Sequence, residues 1–258
     1  MKLNNGYSEI MIDAAEHDYV DAIWTHFSEV GKDHFILPDG RVDIILTFAV
    51  SGDGVLADVT PLIATPYTLP RHVSIRPHQG FIGLRLKPGA IRNFLDAPAQ
   101  ALYGGVLEGK NAASCLKKHH AIKFGCNDIN SLIMELNKYV LGATIRHDSN
   151  LVSDAIKIID GAKGCITITE TVNQLGSCER TLRRNFLQSV GLTPKAYAST
   201  VRLHNAMGLL SHNTDQMAAI ASECGYADQA HMIRDFKCFT GQTPTAFKGK
   251  QQESLLTH

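Results

Sequence analysis

Arg234–Phe247, which reads RDFKCFTGQTPTAF, has an earlier partial copy at Arg184–Tyr197, which reads RNFLQSVGLTPKAY. The matched arginines, phenylalanines, glycines and Thr-Pro pairs all recur at a constant offset of 50 residues. An internal repeat of this length indicates duplicated structural units, and two copies are fewer than a solenoid requires. We therefore predict a pair of equivalent small modules.

Each copy predicts the same local structure. A helix with apolar spacing ends at a glycine, and the Thr-Pro pair after it suits the start of another helix, because proline at the first helical position loses no hydrogen bond. Upstream, Leu175-Gly176 and Cys224-Gly225 place a glycine turn between two helices. Two helices joined by a tight, glycine-containing turn form a helix-turn-helix, so each copy is predicted to be one.

Composition restricts the classes of protein that fit. The chain has 258 residues, of which 44% are hydrophobic and 19% charged, with a formal net charge of zero. This length and apolar content suit one large or two ordinary globular domains. Residues 151–258 carry eleven Lys and Arg against nine Asp and Glu. Because positive charge exceeds negative charge so slightly, binding to nucleic acid would depend on where the basic residues lie.

The six cysteines form no CxxC pair, and the histidines show no spacing typical of a metal site. We predict no metal and no cofactor. Cysteines without a disulfide framework suit a reducing compartment, and the first residues contain no apolar signal-peptide region. The expected location is the cytoplasm, with no membrane association.

The first ~90 residues have the pattern of short strands and turns. Predicted strands cover Arg41–Val50, Val55–Val59 and Phe81–Leu86, and Pro38-Asp39-Gly40 is a strong turn signal after Phe35–Leu37. A small barrel or sandwich is the natural closure for such strands. The predicted fold class is therefore α+β, with a β-rich N-terminal barrel or sandwich followed by an all-α region.

Helices follow the strands. Apolar residues recur at helical spacing in Ile129–Val140, and this stripe could pack on its own domain or on a second copy of the chain. The polar stretch Gly142–Asn150 marks a domain boundary. We predict a sensor or dimerisation domain at 1–145, a DNA-binding domain at 150–250 and a tail at 251–258.

Basic residues accompany the N-terminal strands. They could hold an anionic or carboxylate effector if the strands line a cavity, whereas the plainer interpretation is that they are surface charges on turns. The candidate effector-binding residues are Arg41, Arg71, Arg76 and Arg85.

The first module carries its charges on one helix. Thr167 and Glu170 form a predicted capping box for the first helix of the module. Ser177 is a predicted N-cap for the second helix and also a predicted DNA contact. A helical wheel places Arg180 and Arg184 opposite the apolar Leu182 and Phe186, with Arg183 on the flank. Arginines on such a face can read guanine or clamp phosphates, although a merely solvated face has the same pattern.

The second module repeats the arrangement. Asp228 is its predicted cap, and Gln229, His231 and Arg234 are its predicted DNA contacts. The long helix predicted at Pro194–Leu210 would join the modules, so that their second helices enter major grooves roughly 34 Å apart.

The C-terminal half resembles the AraC/XylS-type DNA-binding domain. The resemblance implies a bipartite, seven-helix domain in a transcription regulator, usually an activator that contacts RNA polymerase. By position, it assigns groove reading to the arginines and polar residues named above. The residues that carry it are Leu175–Ser177, Arg180–Phe186, Gly191–Pro194, Arg202-Leu203, Leu209-Leu210, Ile220-Ala221, Gly225–Gln229, His231, Arg234–Lys237 and Thr240–Pro244.

The N-terminal half resembles, more faintly, the β-rich domain that precedes such modules, through the phrases LPDGRVDIILTF and GFIGLRLKPGA. This resemblance implies sensing of a small molecule or formation of a homodimer. Two other classes stay open. One is a metal-dependent or alkyl-accepting enzyme, with Cys115 or Cys126 as the acceptor, fused to a DNA-binding domain. The other is an architectural DNA binder without an effector.

Overall fold

A computed structural model describes residues 5–10, 19–118, 121–143, 150–212 and 217–250. The chain divides into two compact units. Described residues within 1–33, 41–66 and 74–147 form the N-terminal unit, and those within 34–40, 67–73 and 148–258 form the helical unit.

The division into units does not follow the chain at a single point. Two short segments of the N-terminal half, 34–40 and 67–73, belong to the helical unit. The predicted boundary crosses residues 144–149, and the predicted tail covers 251–258; both lie outside the described residues. The boundaries at 145 and 150 stay predictions.

The strands form two sheets. The predicted strands near residues 41–50, 55–59 and 81–86 are present. Six strands form one antiparallel sheet in the order β1-β2-β7-β4-β5-β8, and β3 and β6 form a two-stranded sheet. The strands of the described residues are β1 (Gly6–Ile10), β2 (Val20–Ser28), β3 (Lys32–Ile36), β4 (Val42–Val50), β5 (Leu56–Ala64), β6 (Arg71–Ile75), β7 (Gln79–Leu86) and β8 (Val106–Glu108).

The six-stranded sheet is open rather than closed. Strands β1 and β8 are its edges, and they do not pair with each other within the described residues. The expectation of a barrel is corrected here, because helices rather than further strand pairing cover the apolar face. These helices are α1 (Ile91–Phe94), α2 (Ala99–Leu102), α3 (Gly109–Cys115) and α4 (Ile129–Leu141).

The core of the N-terminal unit lies between this sheet and its helices. Side chains alternate between the two faces of a strand, and one face of β2, β4 and β7 is apolar, with Ile23, Ile44 and Leu84 fully buried. They share a core with Phe94 of α1 and Leu136 of α4. Burial of apolar area against the helices therefore stabilises the open sheet.

The apolar stripe of α4 packs inside its own unit. Leu132, Leu136 and Tyr139 are fully buried in the same core, and the Tyr139 hydroxyl accepts a hydrogen bond from the backbone N–H of Lys117 at 3.1 Å. Of the two uses considered for this stripe, packing on its own domain is the one observed, and the stripe is not available as a dimer seam.

The helical unit contains seven helices among its described residues, as the resemblance implies. Residues of α5, α6, α7 and the first part of α8 share one apolar core, which is the core of module one. Residues from the later part of α8 to α11 share another, which is the core of module two. Each helix in the described part of the chain is too short or too polar to span a bilayer. The helices are α5 (Asn150–Gly161), α6 (Ile168–Gln174), α7 (Glu179–Ser189), α8 (Pro194–His212), α9 (Met217–Glu223), α10 (Gln229–Thr240) and α11 (Pro244–Lys250).

Candidate nucleic-acid interface

The scaffold helix of module one, α6, begins with the predicted capping box. The Thr167 hydroxyl accepts a hydrogen bond from the Glu170 N–H at 3.1 Å, and the Glu170 carboxylate accepts one from the Thr167 N–H at 2.9 Å. These bonds satisfy two backbone donors that a helix start otherwise leaves open. Hydrogen bonds from Thr167 also hold the pKa of the Glu170 carboxyl below its ordinary value.

The second helix of module one, α7, begins one residue later than predicted. Its N-cap is Cys178 and not Ser177. The Ser177 N–H donates to the Val172 carbonyl at 3.0 Å, which uses Ser177 to close the end of α6. The Cys178 thiol lies 3.2 Å from the Thr181 hydroxyl, and that hydrogen bond lowers the pKa of the thiol. A cysteine therefore occupies the helix start, where serine was expected.

The outer face of α7 carries the predicted arginines. Leu182 and Phe186 are fully buried in the core of module one, and Arg180, Arg183 and Arg184 are exposed. A helix with one buried stripe presents its other side chains to solvent. The helical wheel is confirmed, and three guanidinium groups are available on one short helix.

The second helix of module two, α10, has the predicted cap but a different surface. The Asp228 carboxylate accepts a hydrogen bond from the His231 N–H at 2.6 Å. Gln229 and Arg234 are exposed. The side chain of His231 is only 37% exposed, and its ring packs edge-on against Tyr226 at 5.3 Å between centroids. Of the three predicted contacts, His231 is thus partly held by its own module.

A cluster that the sequence analysis missed holds His231. Its Nε2 lies 3.9 Å from Oδ2 of Asp235, which lies 3.7 Å from Nη2 of Arg202 on α8. The Arg202 guanidinium also stacks over Tyr226 at 4.7 Å. The spacing of His231 and Asp235, four residues apart on a helix, was a usable sign of their contact. No feature of the sequence near His231 indicated the contact with Arg202, because Arg202 lies on a different helix.

The four arginines predicted to bind an effector do not form one site within either unit. Arg41 forms an ion pair with an aspartate of β2, and Arg76 is exposed in the turn between β6 and β7. Arg71 belongs to the helical unit, where its guanidinium lies 4.0 Å from the ring centroid of Tyr67. Arg85 alone among the four is buried, at 4% exposure.

Strand register surrounds Arg85 with polar and aromatic side chains. Its Nε lies 3.4 Å from Oδ1 of Asp43, and its Nη1 lies 3.7 Å from Oε1 of Glu9. The Trp24 indole N–H donates to the same Asp43 oxygen at 2.8 Å, and the Tyr7 hydroxyl donates to Glu9 at 2.7 Å. Burial, aided by that bond, raises the pKa of Tyr7. We call these five residues the Arg85 cluster.

The enzyme alternative requires a metal site or a reactive cysteine, and the described part of the chain offers little support for either. No group of three or more His, Cys, Asp or Glu residues there could hold a metal ion. Burial, with Glu135 and Asp128 nearby, raises the pKa of the Cys126 thiol. A raised pKa lowers the thiolate fraction, which is the reverse of what a nucleophilic cysteine needs.

Comparison with known families agrees with this geometry. A family model described as "Helix-turn-helix domain" matches residues 172–250, which begin within α6 and include α7 to α11. The C-terminal half carries an AraC-type helix-turn-helix domain. A second model, described as a domain of unknown function (DUF6597), matches residues 14–108, which include β2 to β8. The AraC-type domain is thus preceded by a β-rich domain, as the sequence analysis expected.

Two curated relatives show how far the similarity extends. The HTH-type transcriptional activator RhaS of Escherichia fergusonii is 38% identical over 76 residues, which are 30% of this chain and 27% of RhaS. The HTH-type transcriptional activator RhaR of Escherichia coli K12 is 27% identical over 121 residues, 45% of this chain and 43% of RhaR. The chain thus matches less than half the length of each relative.

Two solved structures are similar to this chain over different lengths. A probable AraC family transcriptional regulator from Rhodopseudomonas palustris is 28% identical, with a TM-score of 0.35, and covers 40% of this chain and 97% of its own. ToxT from Vibrio cholerae is 10% identical, with a TM-score of 0.44, and covers 96% of this chain and 99% of its own.

Proposed function

We propose that the protein is a sequence-specific, DNA-binding transcription regulator, that it activates transcription through contact with RNA polymerase, and that a small molecule controls it. The observation that carries the proposal is the duplicated module. Each copy has a second helix whose inner face is buried and whose outer face offers arginine, glutamine or histidine to a DNA groove. These side chains recognise base edges and phosphates.

The two modules would contribute differently to DNA affinity and to sequence selectivity. Module one offers Arg180, Arg183 and Arg184, whereas module two offers Gln229, Arg234 and a partly buried His231. Because each cation that neutralises a phosphate releases counterions, the arginine-rich helix supplies more of the salt-dependent affinity. Glutamine reads adenine by a bidentate contact, so the second helix contributes mainly to selectivity.

Selection from random duplex DNA tests the proposal as a whole. The full chain is expected to enrich one shared motif that spans two successive major grooves, about one helical turn apart. Linking that motif to a reporter gene then distinguishes activation from repression. Enrichment of duplexes without any shared motif would favour the architectural interpretation over a sequence-specific regulator.

Arg184→Ala is expected to weaken binding to the selected motif by ~1–3 kcal/mol, with a smaller loss on random duplex, if Arg184 contacts a base. Titration of labelled duplex at several salt concentrations measures both values. Arg92→Ala is the matched control, since Arg92 is an exposed arginine of the N-terminal unit. Unchanged affinity of Arg184→Ala on every duplex would remove Arg184 from the interface.

The Arg85 cluster is the best-supported effector site. Two carboxylates, those of Glu9 and Asp43, already neutralise the positive charge of the Arg85 guanidinium. A simple anion bound there would be repelled by both carboxylates. An uncharged, hydroxyl-rich ligand can donate to Glu9 and Asp43, accept from Arg85 and stack on Trp24. We therefore expect a polyhydroxyl compound as effector rather than the carboxylate first considered.

A thermal-shift screen of sugars and small carboxylates tests this site. A ligand at 100 times its Kd stabilises a protein by about 2.7 kcal/mol, which raises the melting temperature by a few degrees. We expect Glu9→Ala to abolish that shift and leave the buried contact of Arg85 with Asp43 in place. Glu29→Ala, at an exposed position, serves as control. A ligand that stabilises the wild type and Glu9→Ala equally would place the effector elsewhere.

A homodimer is part of the proposal, because two copies could read a repeated operator. The stripe of α4 cannot form its interface, since that stripe lies in the core. Sedimentation of the full chain, with and without the selected duplex, measures the oligomeric state.

A further inference from the structure

Residues 34–40, which we call the bridging segment, are part of the helical unit although they come from the N-terminal half of the sequence. Leu37 is only 4% exposed, and it lies in the same apolar core as Leu203 of α8 and Phe236 of α10. The core of module two is therefore completed by a residue about 170 positions away from it along the chain.

The bridging segment is held beside module two by several contacts. The Tyr67 hydroxyl, on the second short segment of the helical unit, donates to the Leu37 carbonyl at 3.0 Å. Phe35 packs against the module-two core. Its ring lies 3.5 Å from where a Cβ on Gly241 would stand, at the end of α10. The ring of His72 meets Phe35 edge-on at 4.8 Å.

The same segment reaches the core of module one. His204 of α8 lies with its Nε2 2.8 Å from the Pro38 carbonyl oxygen. A carbonyl oxygen only accepts, so this nitrogen carries the proton. A Cβ on Gly40 would stand 3.1 Å from the ring of Tyr197 and 3.6 Å from Leu192. Both of these residues belong to the module-one core.

We propose that the bridging segment fixes the angle between the two helix-turn-helix modules, and that Leu37 and His204 are positioning residues for DNA reading. Leu37 lies in the core of one module, Gly40 lies against the core of the other, and His204 ties the residue between them to the connecting helix. Contacts with the first part of α8 at Tyr197 and with its later part at Leu203 and His204 limit the bending that a single long helix allows. This inference rests on the proposed function.

A rigid pair of modules has a measurable signature. Two recognition helices held at one angle match grooves about one helical turn apart, and one inserted base pair turns the second groove by about a tenth of a turn. A protein whose two modules are rigidly held loses affinity when the spacing of the DNA grooves changes. A protein whose modules move freely tolerates the new spacing, but it binds the original duplex more weakly because ordering the modules costs free energy. The loss of affinity caused by an inserted base pair therefore measures how rigidly the angle between the modules is held.

The experiment compares the full chain and its variants on the selected duplex and on the same duplex with one base pair inserted between the two contacted grooves. For the wild type we expect the insertion to weaken binding about 30-fold or more. For Leu37→Ala we expect about tenfold weaker binding to the uninterrupted duplex and an insertion penalty below about threefold. Leu69→Ala makes the same chemical change at a residue that is 61% exposed, and it should match the wild type.

A second variant covers the case in which Leu37→Ala does not fold, as judged by circular dichroism. His204→Ala removes the contact with Pro38 without opening a cavity in either apolar core, and it should reduce the insertion penalty in the same direction. If both variants fold and both lose as much affinity on the inserted duplex as the wild type does, the bridging segment does not set the angle. If Leu37→Ala is unfolded, the same result for His204→Ala alone leads to the same conclusion. Failure of the wild type to select any motif would instead overturn the proposed function and this inference with it.

Discussion

Replacing Phe236 by alanine is expected to lower the free energy of unfolding of the helical unit by about 3–5 kcal/mol, the usual cost of removing a buried aromatic ring. Phe236 is fully buried in the module-two core, and its ring meets Phe247 edge-on at 5.2 Å. Its counterpart Phe186 is equally buried beside Tyr197 in module one. We expect a loss of similar size there. Urea unfolding of the full chain, followed by far-ultraviolet circular dichroism, measures both.

Tyr103→Ala is the control for these two changes. Tyr103 is an aromatic residue that is 50% exposed, and surface substitutions usually change stability by less than about 0.5 kcal/mol. A loss below about 1 kcal/mol for either phenylalanine variant would contradict its place in a core. Because the two rings occupy equivalent positions of the repeat, very unequal losses would show that the modules differ in stability.

Gly164→Ala is the second change with a large expected effect, a loss of roughly 3 kcal/mol. Gly164 has a φ of +72°, and an added Cβ would stand 2.3 Å from the Ala198 carbonyl oxygen and 2.5 Å from the Arg202 nitrogen. Both atoms are backbone atoms of α8, so no side-chain rotation relieves the clash. The left-handed conformation costs about 1–2 kcal/mol for a residue with a Cβ, and overpacking adds about 1–3 kcal/mol.

Gly161→Ala, three residues earlier, is a closely matched control. Nothing lies within 4 Å of the Cβ that it would add, and it is the last residue of α5. Alanine is preferred over glycine in a helix by roughly 0.5–1 kcal/mol, so this variant should be neutral or slightly more stable. Thermal unfolding of Gly164→Ala and Gly161→Ala measures the difference in stability between the two variants. Equal melting temperatures would mean that α8 does not approach Gly164 closely.

The helical modules could be predicted from the sequence because their signals are local. The capping box of Thr167 and Glu170, the cap at Asp228 and the buried pair Leu182 and Phe186 each depend on residues within a turn or two of one helix. Helix formation and capping respond to such near neighbours. For this reason the helix bounds followed closely from the residues themselves, as did the exposed arginines of α7. The start of α7 lies one position later than predicted, and the end of α8 lies two positions later.

The sheet and the Arg85 cluster could be predicted only in part. Strands β4, β5 and β7 were recognisable from alternation and turn signals, whereas the strand order depends on pairing between distant segments. Tyr7 and Arg85 are 78 residues apart, and strand register alone brings them together. Local periodicity gives each strand a buried face. It does not specify its neighbours or whether the sheet closes.

By itself, the sequence determined the duplicated helix-turn-helix modules, the capping box of α6, the cap of α10 and the arginine-bearing face of α7, because neighbouring residues along the chain decide these features. Only the tertiary structure decided that Leu37 completes the core of module two and that Arg202 holds the cluster around His231. In both cases the contact joins segments far apart in sequence, and the apolar or charged character of a residue does not reveal which distant surface will bury it.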